Sequence, residues 1–92
     1  MTAHLQPGQI IKSYGLDGRE YTGVVGNSGP KPCRARVIHG ITVTQVIYIW
    51  IPDDNGTNNY KSVAYETAQF IPDTECDPQL LDYARMLRKF MD

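Results

Sequence analysis

Cys33 and His39 are residue types that could form a catalytic pair, because an imidazole can activate a nearby thiol as a nucleophile. Both residues lie in a segment whose pattern predicts one extended strand. Six residues of strand at ~3.3 Å each separate them by about 20 Å, whereas proton transfer requires hydrogen-bond distance. The spacing therefore indicates that Cys33 is a small core residue, and we expect no catalytic pair here.

Metal and phosphate sites have characteristic spacings, and this chain shows none of them. Its cysteines and histidines form no CxxC or HExxH pair. The glycines between residues 15 and 29 match neither the dinucleotide-binding nor the P-loop spacing. Residues 53–56, with the sequence DDNG, are typical of a hairpin turn, because Asn-Gly tolerates positive φ angles. We therefore predict no catalytic residue, no metal and no cofactor, in a protein that is not an enzyme.

A set of aromatic and basic residues is the remaining candidate for function. One predicted strand carries Thr44, Tyr48 and Trp50 at even-numbered positions, and the preceding strand carries Arg34 and Arg36. Aromatic residues and arginine are enriched at binding hot spots. We predict that these five residues form a partner-binding sheet face. The competing interpretation is that a helix covers this face and that Trp50 belongs to the core.

The segments that must position these residues are mostly short strands. Apolar and β-branched residues recur with a period of two, and clusters of Gly, Pro and Asn interrupt them. The predicted strands are residues 9–14, 20–25, 33–39, 41–51, 60–66 and 69–71. Within 41–51 the odd-numbered residues are mainly Ile and Val, so this face is predicted to line the core.

Residues 78–91 are predicted to form a single C-terminal helix. Asp77 is a candidate N-cap, and Pro78 suits the first helical position, where its missing N–H is not needed. Apolar residues then recur at helical spacing, flanked by two aromatic residues: Leu80, Ala84, Leu87 and Met91, with Tyr83 and Phe90. One face of the helix should therefore pack on the sheet, and Trp50 would lie under it if that face is covered.

The connection between the strands at 33–39 and 41–51 determines which way the arginines point. A two-residue turn would pair odd with even positions and direct Arg34 and Arg36 toward the core, where unpaired charge is costly. We therefore predict a three-residue connection, residues 39–41, with Gly40 in the left-handed conformation of a bulged hairpin.

Length and charge limit the class of protein. The chain has 92 residues and a formal net charge of -1, which suits one domain over residues 1–92 and provides no overall field for nucleic acid or anionic membranes. The apolar-rich run 41–51 is far shorter than the ~20 residues of a membrane-spanning helix, and the first residues show no signal-peptide pattern. We expect a cytoplasmic protein with free thiols at Cys33 and Cys76.

These patterns together predict a mainly β (β+α) fold, a small antiparallel SH3-like barrel or rolled sheet of about five strands with one C-terminal helix. The leading functional hypothesis is a non-enzymatic interaction module, an adaptor or inhibitor that docks on a protein partner. A single-stranded nucleic-acid binder using the same face is the second hypothesis. The third is an enzyme subunit whose site forms at an oligomer interface, so a homo-oligomer is compatible with the sequence.

Overall fold

The structure is a computed structural model that describes residues 5–52 and 58–91. The elements in chain order are β1 (Ile10–Tyr14), β2 (Glu20–Val25), β3 (Lys31–Ile38), β4 (Ile41–Pro52), β5 (Asn58–Ala64), β6 (Gln69–Phe70), a 3-10 helix (Asp73–Glu75) and α1 (Pro78–Met91). All predicted strands and the helix are present, with boundaries that differ by at most two residues. The turn predicted at residues 53–56 lies outside the described residues.

The strands form one antiparallel sheet built around β4. Its hydrogen-bonded order is β3-β4-β2-β1-β6, and β5 also pairs with β4. Val46 pairs with both Lys31 and Ala64, and Trp50 pairs with both Val24 and Tyr60. Hence β5 occupies one edge of β4, while β3 and β2 share the other edge in succession.

The predicted β+α class is confirmed, with six strands instead of about five, but the sheet does not close into a barrel. Its curvature brings the end of β1 to β5, where Gly15 and Val63 form an isolated bridge. That single bridge is not followed by a ladder among the described residues. The predicted SH3-like barrel is therefore not confirmed.

The inner face of the sheet holds the main core, and β4 supplies its centre. Ile47 and Ile49 are fully buried, and Val43 is buried nearer the β3–β4 turn, as the period-two pattern predicts. Ile41 differs, since it lies beside that turn and is exposed. The buried members of the main cluster are Leu5, Ile11, Val25, Ile47, Ile49, Val63 and Tyr65.

The helix α1 covers the part of the outer face that is formed by β1, β2 and the Trp50 end of β4. The helix begins as predicted: the Gln79 amide donates to Asp77 Oδ1 at 2.9 Å, which satisfies one free N–H of the first turn. Leu80 and Ala84 are buried against Ile10, Val24 and Trp50 in a second cluster. The part of β4 near Trp50 is consequently buried on both faces. Among the described residues, no helix is long and apolar enough to cross a membrane.

Gly23 lets β2 and β4 approach closely on the inner face of the sheet. A Cβ atom at Gly23 would collide with the carbonyl oxygen of Trp50 and press on the side chains of Ile49 and Ile51. A side chain at this position would therefore force the two strands apart, which explains the glycine without any unusual backbone angle.

The β3–β4 turn differs from the prediction. Ile38 pairs with Ile41, so the connection is a two-residue turn, His39 and Gly40, with φ angles of 50° and 82°. Gly40 is left-handed as predicted, but the three-residue connection is wrong. Positive φ at both central residues is the mark of a type I′ turn. The His39 side chain is held by a 2.9 Å hydrogen bond between Nε2 and the Gly18 carbonyl oxygen.

This register corrects the predicted placement of the arginines. Arg36 lies opposite Val43 and Val37 opposite Thr42, with an irregular stretch of β3 between Pro32 and Arg36. The prediction assumed that a face shared with Val43 would be covered along the whole hairpin. It is not covered beside Arg36, which remains exposed, so the cost of burying the charge does not arise.

Candidate protein-interaction surface

The outer face of the sheet carries a stacked aromatic pair. Trp50 lies parallel to Tyr83 of α1, with ring centroids 4.0 Å apart and an interplanar angle of 6°. Because α1 covers it, the Trp50 side chain is only 9% exposed. The structure thus answers the question that the sequence left open, and Trp50 is a core residue of the helix–sheet contact.

A hydroxyl pair extends this stack to β5. Tyr60 and Tyr83 share a hydrogen bond of 2.6 Å between their hydroxyl oxygens. Burial raises the pKa of Tyr83 to about 12, with a further contribution from the hydrogen bond to Tyr60. Tyr60 itself is 53% exposed. The pair therefore holds the exposed Tyr60 side chain against the half-buried Tyr83.

Exposed apolar side chains continue from this pair in two directions. On the sheet, Trp50 pairs with Tyr60 and Tyr48 with Ser62, so Tyr48 and Tyr60 are diagonal neighbours within reach of each other. On the helix, Met86 and Phe90 follow Tyr83 at spacings of three and seven, which places all three on one strip. Phe90 is 81% exposed and Met86 is exposed as well. We call Tyr48, Tyr60, Tyr83, Met86 and Phe90 the aromatic surface.

The helical residues next to the aromatic surface carry charges of both signs. Asp82 precedes Met86 by four residues and Lys89 follows it by three, and both are exposed. Arg88 points elsewhere: its guanidinium donates to both carboxylate oxygens of Asp73, at 3.0 and 3.3 Å, and to the Gly8 carbonyl oxygen at 3.0 Å. An apolar centre with a mixed polar rim is the composition of protein-binding surfaces.

Thr44, one of the predicted binding residues, is engaged within the fold. Its amide and hydroxyl donate to Glu66 Oε2 at 2.7 and 2.6 Å, and the Gln45 amide donates to Oε1 at 3.2 Å. Burial of the Glu66 carboxyl raises its pKa, but these hydrogen bonds lower it by more, so the pKa lies below its ordinary value. Thr44 therefore helps to anchor β4 where β5 no longer pairs with it.

The structure does not bring the five predicted residues together on one free surface. Tyr48 belongs to the aromatic surface, whereas Trp50 is buried beneath it. Arg36 lies opposite Val43, toward the other end of β4, and Arg34 lies in the irregular stretch of β3. The arginines and the aromatic side chains thus form two separate regions.

Four residues of the aromatic surface were not predicted from the sequence: Tyr60, Tyr83, Met86 and Phe90. The sequence contained a signal for three of them, because Tyr83, Met86 and Phe90 form their own helical strip beside the buried stripe of Leu80 and Ala84. Phe90 was expected to flank the packed face, but it lies in solvent.

Other clusters that could carry chemistry have structural roles. Cys33 packs near Ile38 and Val43, and Cys76 contacts the second cluster; both thiols are free. The buried Ser13 hydroxyl bonds to Thr67 Oγ1 at 2.5 Å and donates to the Ala64 carbonyl oxygen at 2.6 Å. Within residues 5–52 and 58–91, no three His, Cys, Asp or Glu side chains are grouped to hold a metal ion.

The chain was also compared with known proteins. No family model matches it, and neither the curated proteins nor the solved structures include a match.

Proposed function

We propose that this protein is a non-enzymatic interaction module, an adaptor or inhibitor, that docks on a protein partner through the aromatic surface. The observation that carries this proposal is the exposure of Tyr60, which is hydrogen-bonded to the Trp50–Tyr83 stack, and of Phe90, which lies two turns farther along the same strip of α1. A large apolar side chain that a small domain leaves in water is stabilising only when a partner covers it.

The arrangement of the surface supports a protein as the partner. The Tyr60–Tyr83 hydrogen bond orders two of its side chains before binding, which reduces the entropy lost on association. Full burial of an exposed Phe or Met side chain contributes about 1.5 to 3 kcal/mol. Phe90 and Met86 together therefore provide enough apolar burial for a binding hot spot.

The proposal is tested by comparing partner capture with matched surface variants. The double variant Met86→Ala/Phe90→Ala is expected to reduce the amount of specifically retained partner by roughly 30-fold, the loss typical of hot-spot residues. Phe70→Ala is the control, since Phe70 is also exposed but lies on β6. Each variant is immobilised, exposed to extract of the native host and analysed by quantitative mass spectrometry. Equal retention by the double variant and the wild type would contradict the proposal.

Single-stranded nucleic-acid binding has weaker support. Three exposed cations on β3, Lys31, Arg34 and Arg36, favour it. Binding of single strands generally combines cations with aromatic stacking, and here the aromatic surface is separate from the arginines. Titration with a labelled oligonucleotide at increasing salt tests this alternative, which predicts a steep loss of affinity.

A further inference from the structure

The segment around β3 carries positive charges and no negative ones. From Tyr21 to Pro52 the sequence contains no Asp or Glu, and its only charged residues are Lys31, Arg34 and Arg36. All three lie on β3 and are exposed. None of them forms an ion pair with another described residue. This strand is thus a cationic region in a protein whose net charge is -1.

The same strand has an edge that no described residue pairs with. Within residues 5–52 and 58–91, β3 is terminal in the sheet order and pairs only along its other edge, with β4. Ile38 and Ile41 flank the two-residue turn, and a type I′ hairpin turn closes on a hydrogen-bonded pair. Because bonding alternates along an antiparallel ladder, the amide and carbonyl of Val37 are then expected to point away from β4. The Val37 side chain is 68% exposed. An added strand would therefore meet main-chain groups, an apolar side chain and three positive charges.

The positive charges of β3 limit which kinds of strand could pair with this edge. Lysine and arginine on an edge strand oppose pairing with a second copy, because like charges would face each other. They favour a strand of opposite charge. β3 contains no aromatic residue for base stacking, which makes it a poor platform for single-stranded nucleic acid.

We propose that the free edge of β3 binds an extended acidic polypeptide segment, which adds to the sheet as a further strand and places its carboxylates near Lys31, Arg34 and Arg36. Main-chain hydrogen bonds at the edge provide affinity, and the cations provide selectivity. Lys31 lies opposite Val46 and is therefore the cation nearest Tyr48, whereas Arg36 lies toward the other end of β4. The variants that test this site change only Arg34, Arg36 or Val37, so the test does not depend on the function proposed above.

The first experiment uses a labelled twelve-residue peptide of alternating Glu and Val, measured by fluorescence anisotropy. Arg34→Glu/Arg36→Glu is expected to weaken binding by roughly tenfold or more, since two favourable charge pairs become repulsive. Arg19→Glu/Arg85→Glu is the matched control, because it changes the net charge equally at two exposed residues outside β3. The affinity of this variant for the peptide should stay within about twofold of wild type. Circular dichroism verifies the fold of both variants.

A second experiment separates strand addition from simple charge attraction. Val37→Pro removes an N–H that faces the free edge, where proline is tolerated, and should weaken binding while all cations remain. In the wild type, the peptide should slow hydrogen exchange of the Val37 amide. The proposal is overturned if the charge reversal has no effect, if a peptide with Lys in place of Glu binds equally well, if Val37 gains no protection, or if oligothymidine displaces the acidic peptide.

Discussion

The two ends of β4 have nearly the same residue pattern and very different surroundings. Near Ile49 and Trp50 the strand is buried on both faces, by the inner core and by α1. Near the β3–β4 turn, Thr42 and Ile41 are exposed and Val43 is the buried residue. The alternation of side chains is therefore a local property, whereas burial depends on which other elements cover each end.

The two proposed binding regions lie at these two different ends of β4. The covered end supports the aromatic surface, where the Trp50–Tyr83 stack holds neighbouring side chains in place. The uncovered end leaves the edge of β3 accessible to an added strand. An apolar surface with an ordered tyrosine pair and an unpaired cationic strand edge are suited to different partners.

The largest expected effect comes from truncating the same residue type at the two ends of β4. Ile49→Ala should lower the free energy of unfolding by about 2 to 5 kcal/mol, because it leaves a cavity in the inner core. Ile41→Ala should cost roughly 1 kcal/mol or less, because the Ile41 side chain is already 43% exposed. Urea unfolding of both variants measures the difference. Equal losses would show that the turn end is packed as tightly as the covered end.

A smaller effect is expected at Glu66, which anchors β4 between the two ends. Glu66→Gln should cost about 1 to 2 kcal/mol at neutral pH. The amide of glutamine has only one acceptor oxygen, whereas both carboxylate oxygens of Glu66 accept hydrogen bonds from Thr44 and Gln45. Since the folded-state pKa of Glu66 lies below the ordinary value of 4.5, its stabilisation is present above that value. It is lost as the pH falls through the lowered pKa.

The contribution of Glu66 is measured from the dependence of the unfolding free energy on pH. Unfolding curves between neutral and acidic pH should show a smaller loss of stability for Glu66→Gln than for wild type. Glu75→Gln is the matched control, because Glu75 is an exposed carboxylate in the 3-10 helix. If Glu66→Gln and Glu75→Gln have the same acid dependence, the hydrogen bonds of Glu66 do not stabilise the fold.

The smallest effect is expected at the hydroxyl pair of the covered end. Tyr60→Phe removes one hydrogen bond and should cost about 0.5 to 1 kcal/mol. It should also lower the pKa of Tyr83 from about 12 while the effect of burial remains. Because the folded-state pKa is raised, stabilisation by un-ionised Tyr83 is present below its ordinary pKa of 10.0 and is lost as the pH rises through about 12.

NMR titration of the Tyr83 ring resonances measures this change directly. Tyr48→Phe is the control. Tyr48 lies on the same face of β4 as Trp50, but Tyr83 shares its hydrogen bond with Tyr60. An unchanged Tyr83 pKa in Tyr60→Phe would mean that burial alone accounts for the shift.

The sequence by itself determined the elements of this protein. The strands follow from period-two alternation and glycine-rich turns, and α1 follows from Asp77, Pro78 and a stripe with helical spacing. The inward face of β4 was also predictable, because side-chain direction in a strand depends only on position along it. Each of these properties depends on residues close together in the chain.

Only the tertiary structure decided how the elements cover one another. Trp50 became a core residue because α1 lies across the outer face, and Phe90 remained in solvent because the same helix turns that residue away from the sheet. The arginines were separated from the aromatic residues because the two-residue turn and the irregular stretch of β3 set a register that alternation alone does not specify. Coverage and register depend on contacts between distant segments, and these also determine which side chains are free to bind a partner.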